Sequence, residues 1–411
     1  MNTPHLIAAT QLAIPWQVVA AGLVSFLSTL LITPIARWSA HKLGVVDCPD
    51  GGRKLQRKPI ALLGGVAVLS GLSVTVLVAA AAGAMNSALE AIVLVSAGLS
   101  MLCAVGVIDD AYNLRPGWKL LAQVFVSIPM VMAGHGISTI GLFDFQLSLG
   151  PFGFLAAMAW LVLCTNAVNL IDGMDGLCST TGLCVAAGVT AIACLSGADN
   201  TVVCAAALAG SLAGFLIYNS PPASIYLGDA GSMIIGMTLG LLTMRISQTQ
   251  DAVTRPVVMA ALMAVPLGDV ALAMIRRKLS GLRIFQADRG HIHHRLLDYG
   301  FSVPQVLAFI AVIGLSTGAV AAGVYQAKSD LFGCLLLGAT AVVLVKLRIA
   351  GHHEWALVRS VIARRSLMPE QTSEATEGLP AILRFESEHS SLHGHAANDA
   401  GLDNEERRQA A

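Results

Sequence analysis

The sequence predicts an all-α, polytopic integral membrane protein. Two features of composition support this fold class: 55% of the 411 residues are hydrophobic and only 12% are charged, with a mean hydropathy of +0.71. Soluble domains carry about twice that share of charged residues, roughly 25%. The third feature is that apolar residues form long runs, each near the roughly 20 residues that a helix needs to cross a bilayer. We therefore expect the bilayer to be the solvent for most of the chain.

Eleven apolar runs approach the length of a membrane-spanning helix. In chain order they cover 16–38, 61–83, 88–108, 118–134, 152–171, 177–197, 201–218, 231–247, 255–276, 304–325 and 330–348. For the shortest runs the alternative is a re-entrant segment. An odd number of crossings would place the two termini on opposite sides of the membrane.

Charge is balanced overall but unevenly placed. The 25 basic and 25 acidic residues give a net charge of zero, so no overall field favours nucleic acid as a partner. With the N-terminus outside, the outer connections hold only Arg245, Arg255 and Lys328, and the other 22 of the 25 basic residues lie inside. This bias predicts a periplasmic N-terminus and a cytoplasmic C-terminus.

The composition changes near the end of the last run. Residues 1–348 form the predicted membrane domain, and residues 349–411 form a polar cytoplasmic tail with few large apolar side chains. Such a segment cannot bury enough apolar surface to fold alone. We expect disorder from about residue 366 onward.

Carboxylates are concentrated in three short motifs that this topology places at cytoplasmic helix ends. Ionisable groups at membrane level are costly and are functional by default, although any single Asp at a helix end can also be a cap. The motifs are GVIDDAYNLRPGWK with Asp109 and Asp110, NAVNLIDGMDGL with Asp172 and Asp175, and NSPPASIYLGDAGS with Asp229. We expect these connections to form one site.

The second motif has a regular spacing. Asn166, Asn169, Asp172 and Asp175 recur every three residues, which on a helix predicts a polar stripe along one face. The glycines Gly173 and Gly176 interrupt the motif and would let the backbone loosen or let a ligand come close.

Clustered carboxylates predict a bound cation, because they raise one another's pKa unless a positive charge lies among them. Oxygen ligands without a partner cysteine favour Mg²⁺, with Mn²⁺ as the alternative. Mg²⁺ usually completes its shell with substrate phosphates, so a phosphorylated substrate is expected. Asp229 is the predicted principal ligand, with Asp110 beside it, because YLGDAGS precedes an apolar helix. For Asp229 a plain helix N-cap is the alternative.

Two basic connections face the same predicted side. One is DCPDGGRKLQRKPIALLGG with Lys54, and the other is RRKLSGLRIFQADRGHIHHRLLDYG with Arg289, His291, His293 and His294. Basic groups near carboxylates suit the binding of a diphosphate. The alternatives are the positive-inside signal for the basic residues and a zinc site for the histidines.

Taken in order, DCPD, GVIDD, NAVNLIDGMDGL, PPASIYLGDAGS and DRGHIHH resemble the polyprenyl-phosphate N-acetylhexosamine-1-phosphate transferases (glycosyltransferase family 4) over roughly residues 16–348. The HIHH form resembles the undecaprenyl-phosphate N-acetylglucosaminyl-1-phosphate transferase branch. The resemblance implies transfer of a sugar 1-phosphate from a UDP-sugar to undecaprenyl phosphate, with Mg²⁺, giving a lipid-linked diphosphate sugar and UMP. It also implies a bacterial inner membrane enzyme with a cytoplasmic active site that initiates cell-surface polysaccharide synthesis.

The motifs and this resemblance together predict residue roles. Asp109 is expected to take a proton from the lipid phosphate, with Asp110 as the alternative base. The three histidines and Arg289 are expected to contact the diphosphate or the sugar phosphate. Tyr226 is expected to stack on uracil, unless it is an ordinary interfacial tyrosine. The expected donor-binding residues are Lys54, Asn169, Asp172, Asp175, Tyr226 and Arg289.

Several alternatives stay open from the sequence. Gln56 and Ala61 depart from the residues usual in this family, so another UDP-N-acetylhexosamine remains a possible donor. A proton- or cation-coupled transporter also keeps carboxylates in a helix bundle, although its sites tend to lie at the midplane. The sequence leaves open the polysaccharide pathway, a homodimer, and whether transfer is direct or proceeds through an enzyme-linked intermediate.

Overall fold

Apolar helices make up most of the chain. The computed structural model describes residues 16–49, 58–85, 89–143, 145–249, 251–280, 290–351, 354–355 and 358–359. Residues 1–354 cluster as one unit and residues 355–411 as a second. Lys54, Arg289 and the predicted tail beyond residue 366 lie outside the described residues, so their roles stay predictions.

Each predicted run coincides with a helix or, in one case, with a pair of helices. In order they are α1 (Trp16–Leu43), α2 (Gly64–Ala81), α3 (Leu89–Tyr112), α4 (Pro116–Met132), α5 (Phe152–Ile171), α6 (Leu177–Ser196), α7 (Asp199–Asn219), α8 (Gly228–Ile246), α9 (Pro256–Leu262), α10 (Ala264–Leu279), α11 (Ile292–Asp298), α12 (Val303–Ala327) and α13 (Asp330–Lys346). The short α11 carries two of the three histidines and is additional to the predicted runs.

Seven of the described helices are long and apolar enough to cross a bilayer, or eight if the bent pair α9 and α10 forms one span. The all-α, multi-span class is confirmed at this level. The predicted total of eleven spans is not reached by length and composition, because α4 and α13 have only 17 residues each. Helix α8 is also not among these seven helices. Its hydropathy is lowered by the charges of Asp229 in its first turn and Arg245 in its last turn.

The ninth predicted run is broken rather than continuous. Helices α9 and α10 meet at Met263 with a bend of 87°. Pro266, near the start of α10, has no backbone N–H to donate to Leu262, so an unbroken helix would lose this bond and clash with the proline ring. The bend allows α10 to pack against α5 and α12.

Short strands connect the helices. Strands β1 (Val46–Asp47) and β2 (Ile60–Ala61) pair antiparallel, with Val46 opposite Ala61. The other sheet has the order β4-β3-β5, from β3 (Thr139–Leu142), β4 (Phe145–Ser148) and β5 (Val253–Thr254). Strand β3 is antiparallel to β4 and parallel to β5. Strands β1 and β2 lie between the C-terminal end of α1 and the N-terminal end of α2, beside the candidate site.

Helices α2, α3 and α8 approach closely at glycines. A Cβ atom on Gly106 of α3 would overlap the backbone of Ala230 in α8, and a Cβ atom on Gly65 of α2 would overlap the backbone of Gly231. Close backbone approach requires residues without side chains. These contacts hold the C-terminal turn of α3, with Asp109 and Asp110, against the first turn of α8.

We expect Gly106→Ala to destabilise the protein, because the added methyl group meets the backbone of α8 rather than a flexible side chain. Overpacking of this kind costs about 1 to 3 kcal/mol. The measurement is the midpoint of thermal unfolding in detergent.

The matched control is Gly338→Ala in α13, where no heavy atom lies within 4 Å of the added carbon. Ala is the better helix former by about 0.8 to 1 kcal/mol, so this midpoint should stay equal or rise. A wild-type midpoint for Gly106→Ala would contradict the close packing of α3 on α8.

Candidate active site

The three carboxylate motifs come together at one cavity. Its volume is about 1510 Å³, and it lies where α3, α5 and α7 end and where α8 begins. The polar and ionisable side chains that line it include Arg37, His41, Asp47, Lys58, Asp109, Asp110, Asp172, Asp175, Asn219, Tyr226, Asp229, His293 and His294. The carboxylates therefore lie at helix ends, as the sequence predicts.

A lysine joins two of the predicted site carboxylates. The Nζ atom of Lys119 in α4 donates to Asp109 Oδ2 and to Asp229 Oδ2, at 2.8 Å in each case. Asp109 is buried and also accepts from the backbone N–H of Leu114 at 2.7 Å. The second oxygen of Asp229 accepts from Asn169 Nδ2 at 2.7 Å. Helices α3, α4, α5 and α8 thus meet at this one ion cluster.

Asp110 points to a different partner from its neighbour. Its Oδ1 atom accepts from the backbone N–H of Asp229 at 2.8 Å, and its Oδ2 atom lies 3.4 Å from the N–H of Ala230. A carboxylate there satisfies free N–H groups of the first turn of α8 and complements the helix dipole. Asp110 thus caps α8 from outside, which leaves the Asp229 side chain free to bind Lys119 and Asn169.

The predicted polar stripe is only half helical. Helix α5 ends at Ile171, so Asn166 and Asn169 lie on it, whereas Asp172 and Asp175 lie in the following turn. The prediction of one helical stripe is therefore wrong for its second half, because Asp172 is the C-cap of α5, and Gly176, in the left-handed conformation with a φ of 74°, directly precedes α6. Asp172 lies in the cavity wall, where burial and the charges of Asp229 and Asp175 raise its pKa to about 7.

Asp175 and Tyr226 connect two loops of the site. Asp175 Oδ2 accepts from the backbone N–H of Ala223 at 2.9 Å. The pKa of Tyr226 is raised to about 12, mainly by burial. The charge of Asp175 and its hydrogen bond with the tyrosine act in the same direction. The loop before α8 is also held to β2, since the N–H of Tyr226 donates to Ala61 O at 2.8 Å. Asp175 therefore fixes the loop that carries the expected uracil-stacking residue.

The three predicted histidines do not share one position. His293 and His294 line the cavity, and their rings lie 4.1 Å apart. His291 is instead buried against Asp269, with His291 Nδ1 2.7 Å from Asp269 Oδ2. Burial and the neighbouring His294 lower the pKa of His293 to about 4, so this ring is neutral at pH 7. Contact of the three histidines with the diphosphate or the sugar phosphate stays a prediction, and of the three only His293 and His294 line this cavity.

Sequence comparisons relate the chain to a known family. The profile described as Glycosyl transferase family 4 matches residues 91–247. A Bacillus subtilis (strain 168) protein named "Probable undecaprenyl-phosphate N-acetylglucosaminyl 1-phosphate transferase" is 33% identical over 304 residues, covering 72% of this chain and 82% of the relative. The chain belongs to glycosyl transferase family 4.

Two further relatives carry related names. The Escherichia coli (strain K12) undecaprenyl-phosphate alpha-N-acetylglucosaminyl 1-phosphate transferase is 28% identical, over 72% of this chain and 80% of the relative. The Mycobacterium leprae (strain TN) decaprenyl-phosphate N-acetylglucosaminephosphotransferase is 30% identical, over 78% of this chain and 87% of the relative. The matched profile of the family includes the carboxylate motifs and all of α4 and α8.

The cluster suits a divalent cation of the kind expected in this family. Among the described residues, no group of three or more His, Cys, Asp or Glu side chains forms a ready-made metal cage. Mg²⁺ does not require one, because one or two carboxylates with waters and substrate phosphates are its usual ligands. Asp229 has a side chain that is 30% exposed and already binds a cationic group, so in this family member it is a carboxylate that a divalent cation could reach.

Two residues of the site lie outside the roles predicted from the motifs. Lys119 is the sole basic residue within the apolar run 118–134, and Asp269 is an acidic residue inside the run 255–276. An ionisable group within a membrane helix is costly and functional by default. The same principle that selected the three motifs therefore points to both residues when it is applied inside the runs.

We expect Lys119→Met to lower the midpoint of thermal unfolding in EDTA, because Asp109 and Asp229 lose the cation they share and repel each other. Added Mg²⁺ should raise the midpoint of the variant more than that of the wild type, since a divalent cation can replace the ammonium group.

Lys278→Met is the control, because Lys278 is an exposed lysine of α10. Its midpoint should respond to EDTA and Mg²⁺ as the wild type does. The same response in both variants would show that Lys119 does not neutralise the two carboxylates.

Asp172→Asn should remove a pH dependence of stability. With a pKa of about 7, the folded protein holds the Asp172 proton more tightly than the unfolded chain, in which Asp titrates near about 3.9. The stabilising contribution is therefore complete below about pH 4 and is lost as the pH rises through about 7. In EDTA, the gain in unfolding midpoint of the variant over the wild type should be larger at pH 8 than at pH 5. An equal difference at both pH values would contradict the raised pKa.

Proposed function

We propose that the protein transfers N-acetylglucosamine 1-phosphate from UDP-N-acetylglucosamine to undecaprenyl phosphate, with release of UMP. The convergence of three carboxylate motifs and two histidines on one cavity at the helix ends, with Lys119 bound to two of the carboxylates, carries this proposal. The names of the relatives support the acceptor and the sugar. A site at this depth suits a water-soluble donor and an acceptor whose phosphate lies at the membrane surface.

The reaction makes one bond and breaks one. An oxygen of the acceptor phosphate bonds to the sugar-linked phosphorus of the donor, and the bond from that phosphorus to the oxygen kept by UMP breaks. Phosphoryl transfer asks a protein mainly for positioning and charge neutralisation. The described side chains are suited to both tasks.

Asp229 is the proposed Mg²⁺ ligand, and Mn²⁺ is the alternative metal. The support is that its carboxylate is partly exposed in the cavity and that Asp110 relieves it of helix capping. When bound, the metal supplies charge neutralisation at the diphosphate and stabilises the departing UMP. Asp110 remains a candidate second ligand, although both of its oxygens face backbone N–H groups.

Asp109 and Lys119 are proposed to receive the acceptor phosphate. Asp109 is the proposed base, but a phosphate monoester with a second pKa near about 6 is already largely ionised at pH 7. Lys119 therefore contributes more to the transfer than Asp109 does, because its ammonium can neutralise the attacking phosphate. Its contact with both carboxylates, which line the cavity, keeps that ammonium close to the cavity.

Donor binding is proposed for Asn169, Asp172, Asp175 and Tyr226, and also for Lys54 and Arg289. Asp172 and Tyr226 line the same cavity, whereas Asp175 supports the Tyr226 loop. His293 and His294 are proposed to donate hydrogen bonds to the diphosphate. Neither ring nitrogen of His293 has a hydrogen-bond partner among the described residues, which leaves its N–H for a ligand.

The proposed setting is the bacterial inner membrane, where the enzyme would begin the synthesis of a surface polysaccharide. Eleven crossings, a periplasmic N-terminus and a cytoplasmic active site remain part of this proposal, supported by the bias in basic residues. The described apolar helices are those of a multi-span membrane protein. The homodimer stays a prediction.

The test is release of UMP by detergent-purified protein given Mg²⁺, a polyprenyl phosphate and one UDP-N-acetylhexosamine at a time. We expect turnover with UDP-N-acetylglucosamine that depends on both substrates and stops in EDTA. Turnover in detergent also excludes a transporter, which needs a sealed vesicle to show activity. Faster turnover with another UDP-sugar would overturn the choice of donor.

Asp229→Asn should abolish most turnover while the protein still reaches the membrane and unfolds at a midpoint close to that of the wild type. The amide keeps the shape of the side chain but loses the charge that a metal requires. Asp251→Asn is the control, because Asp251 is an exposed carboxylate next to β5. Near-normal turnover of Asp229→Asn at low Mg²⁺ would refute the metal assignment.

A further inference from the structure

A buried carboxylate of α10 anchors the helix that carries the histidines. Asp269 is only 3% exposed, and both of its oxygens accept hydrogen bonds from the start of α11. Oδ2 lies 2.7 Å from His291 Nδ1, and Oδ1 accepts from the backbone N–H of Ile292 at 2.9 Å. Burying a charge costs free energy unless its partners compensate. The position of Asp269 is therefore explained by these two bonds.

The bond to Asp269 fixes the state of the His291 ring. A carboxylate only accepts hydrogen bonds, so His291 must carry a proton on Nδ1. The ring stacks on His293 with centroids 5.9 Å apart and an interplanar angle of 14°. His293 in turn lies 4.1 Å from His294. A continuous row of rings thus runs from Asp269 to the two histidines in the cavity wall.

The far end of α11 has a separate anchor. Arg295 Nη2 donates to Glu354 Oε1 at 2.5 Å, and Arg276 of α10 binds the same oxygen. Helix α11 has only 7 residues, far below the roughly 12 to 15 that an isolated helix needs. Its place depends on the burial of Ile292 and Leu296 in the apolar core and on two polar anchors, Asp269 at its start and Glu354 at its end. Of these two anchors, only Asp269 contacts a histidine ring.

We propose that Asp269 is a positioning residue for transfer: it holds His291 with the proton on Nδ1 and so aligns His293 and His294 toward the sugar diphosphate. This inference rests on the proposed function, because it assumes that the cavity binds the diphosphate. Asp269 touches no substrate in this arrangement and acts only through the imidazole rings. Its contribution should therefore fall on the rate more than on donor affinity.

An Asp269→Asn variant distinguishes charge from shape. Its amide oxygen can still accept from Ile292, but its NH₂ group then faces His291 Nδ1. That nitrogen must become an acceptor, so the proton moves to Nε2. Outer carboxylates that orient metal-binding histidines are worth about 10- to 100-fold in affinity or activity, and we expect kcat to fall by a similar factor. The KM for UDP-N-acetylglucosamine should change by less than about threefold.

The experiment measures kcat, KM and the His291 tautomer in full-length protein purified in detergent. Histidines labelled with ¹⁵N report the protonated ring nitrogen, and loss of one signal in His291→Gln assigns the resonance. Asp330→Asn is the matched control, because Asp330 is also 3% exposed and accepts from the backbone N–H of Phe143 at 2.9 Å. Both variants should lose stability, but only Asp269→Asn should lose kcat and change the tautomer.

Asp269→Glu keeps the charge and covers the case in which Asp269→Asn does not fold. We expect it to keep the Nδ1-protonated ring of His291 and to retain more kcat than a variant that lost this proton. Wild-type kcat in folded Asp269→Asn, an unchanged tautomer, or an equal loss of kcat in Asp330→Asn would overturn the proposal. Absence of turnover in the wild type would refute the proposed function instead, while the tautomer would still report the Asp269 bond.

Discussion

The ammonium group of Lys119 between Asp109 and Asp229 is the interaction on which the site depends. Two carboxylates so close to one cation would repel each other in its absence. The three residues come from α4, α3 and α8, so this contact requires three helix ends to reach the same depth. Glycines at the contacts of α3 and α2 with α8 allow the helix backbones to meet, and this close packing brings the end of α3 to the start of α8. Close packing and charge neutralisation are therefore parts of one arrangement.

Adjacent carboxylates divide the work in this arrangement. Asp109 binds the cation, whereas Asp110 binds the backbone at the start of α8. Neighbouring residues at the end of a helix project about 100° apart, as 3.6 residues per turn requires, so one helix end can serve two partners. The capping by Asp110 frees Asp229 from capping its own helix, and Asp229 becomes the carboxylate that is accessible in the cavity. Because Asp110 of α3 caps α8, the Asp229 carboxylate of α8 is available for other partners in the cavity.

The sequence predicts the parts of this molecule that depend on local composition. Apolar length places the helices, and the position of Asp109 and Asp110 at the end of the third run follows from the length of that run. Partners distant in sequence are different. Nothing local pairs Lys119 with Asp229, which lies 110 residues away, or Asp269 with His291. The helical stripe was expected from a three-residue spacing, but α5 ends at Ile171, before the two aspartates of the stripe. Spacing therefore identifies candidate residues, while tertiary packing decides their partners.

The hydrogen bonds that fix the site carboxylates favour a transferase over an ion transporter. The carboxylates of the site are bound by groups of other elements: Lys119 and Asn169 bind Asp229, and backbone N–H groups bind Asp110 and Asp175. A site for a single passing ion near the midplane would need no such support at helix ends. A diphosphate brings several negative charges at once, so its binding favours a preformed set of fixed donors and cations that need little reorganisation. Lys119 and the two cavity histidines form such a set, and the partly exposed Asp229 carboxylate is suited to hold a cation beside them. This fit links the packing of the helix ends to sugar-phosphate transfer.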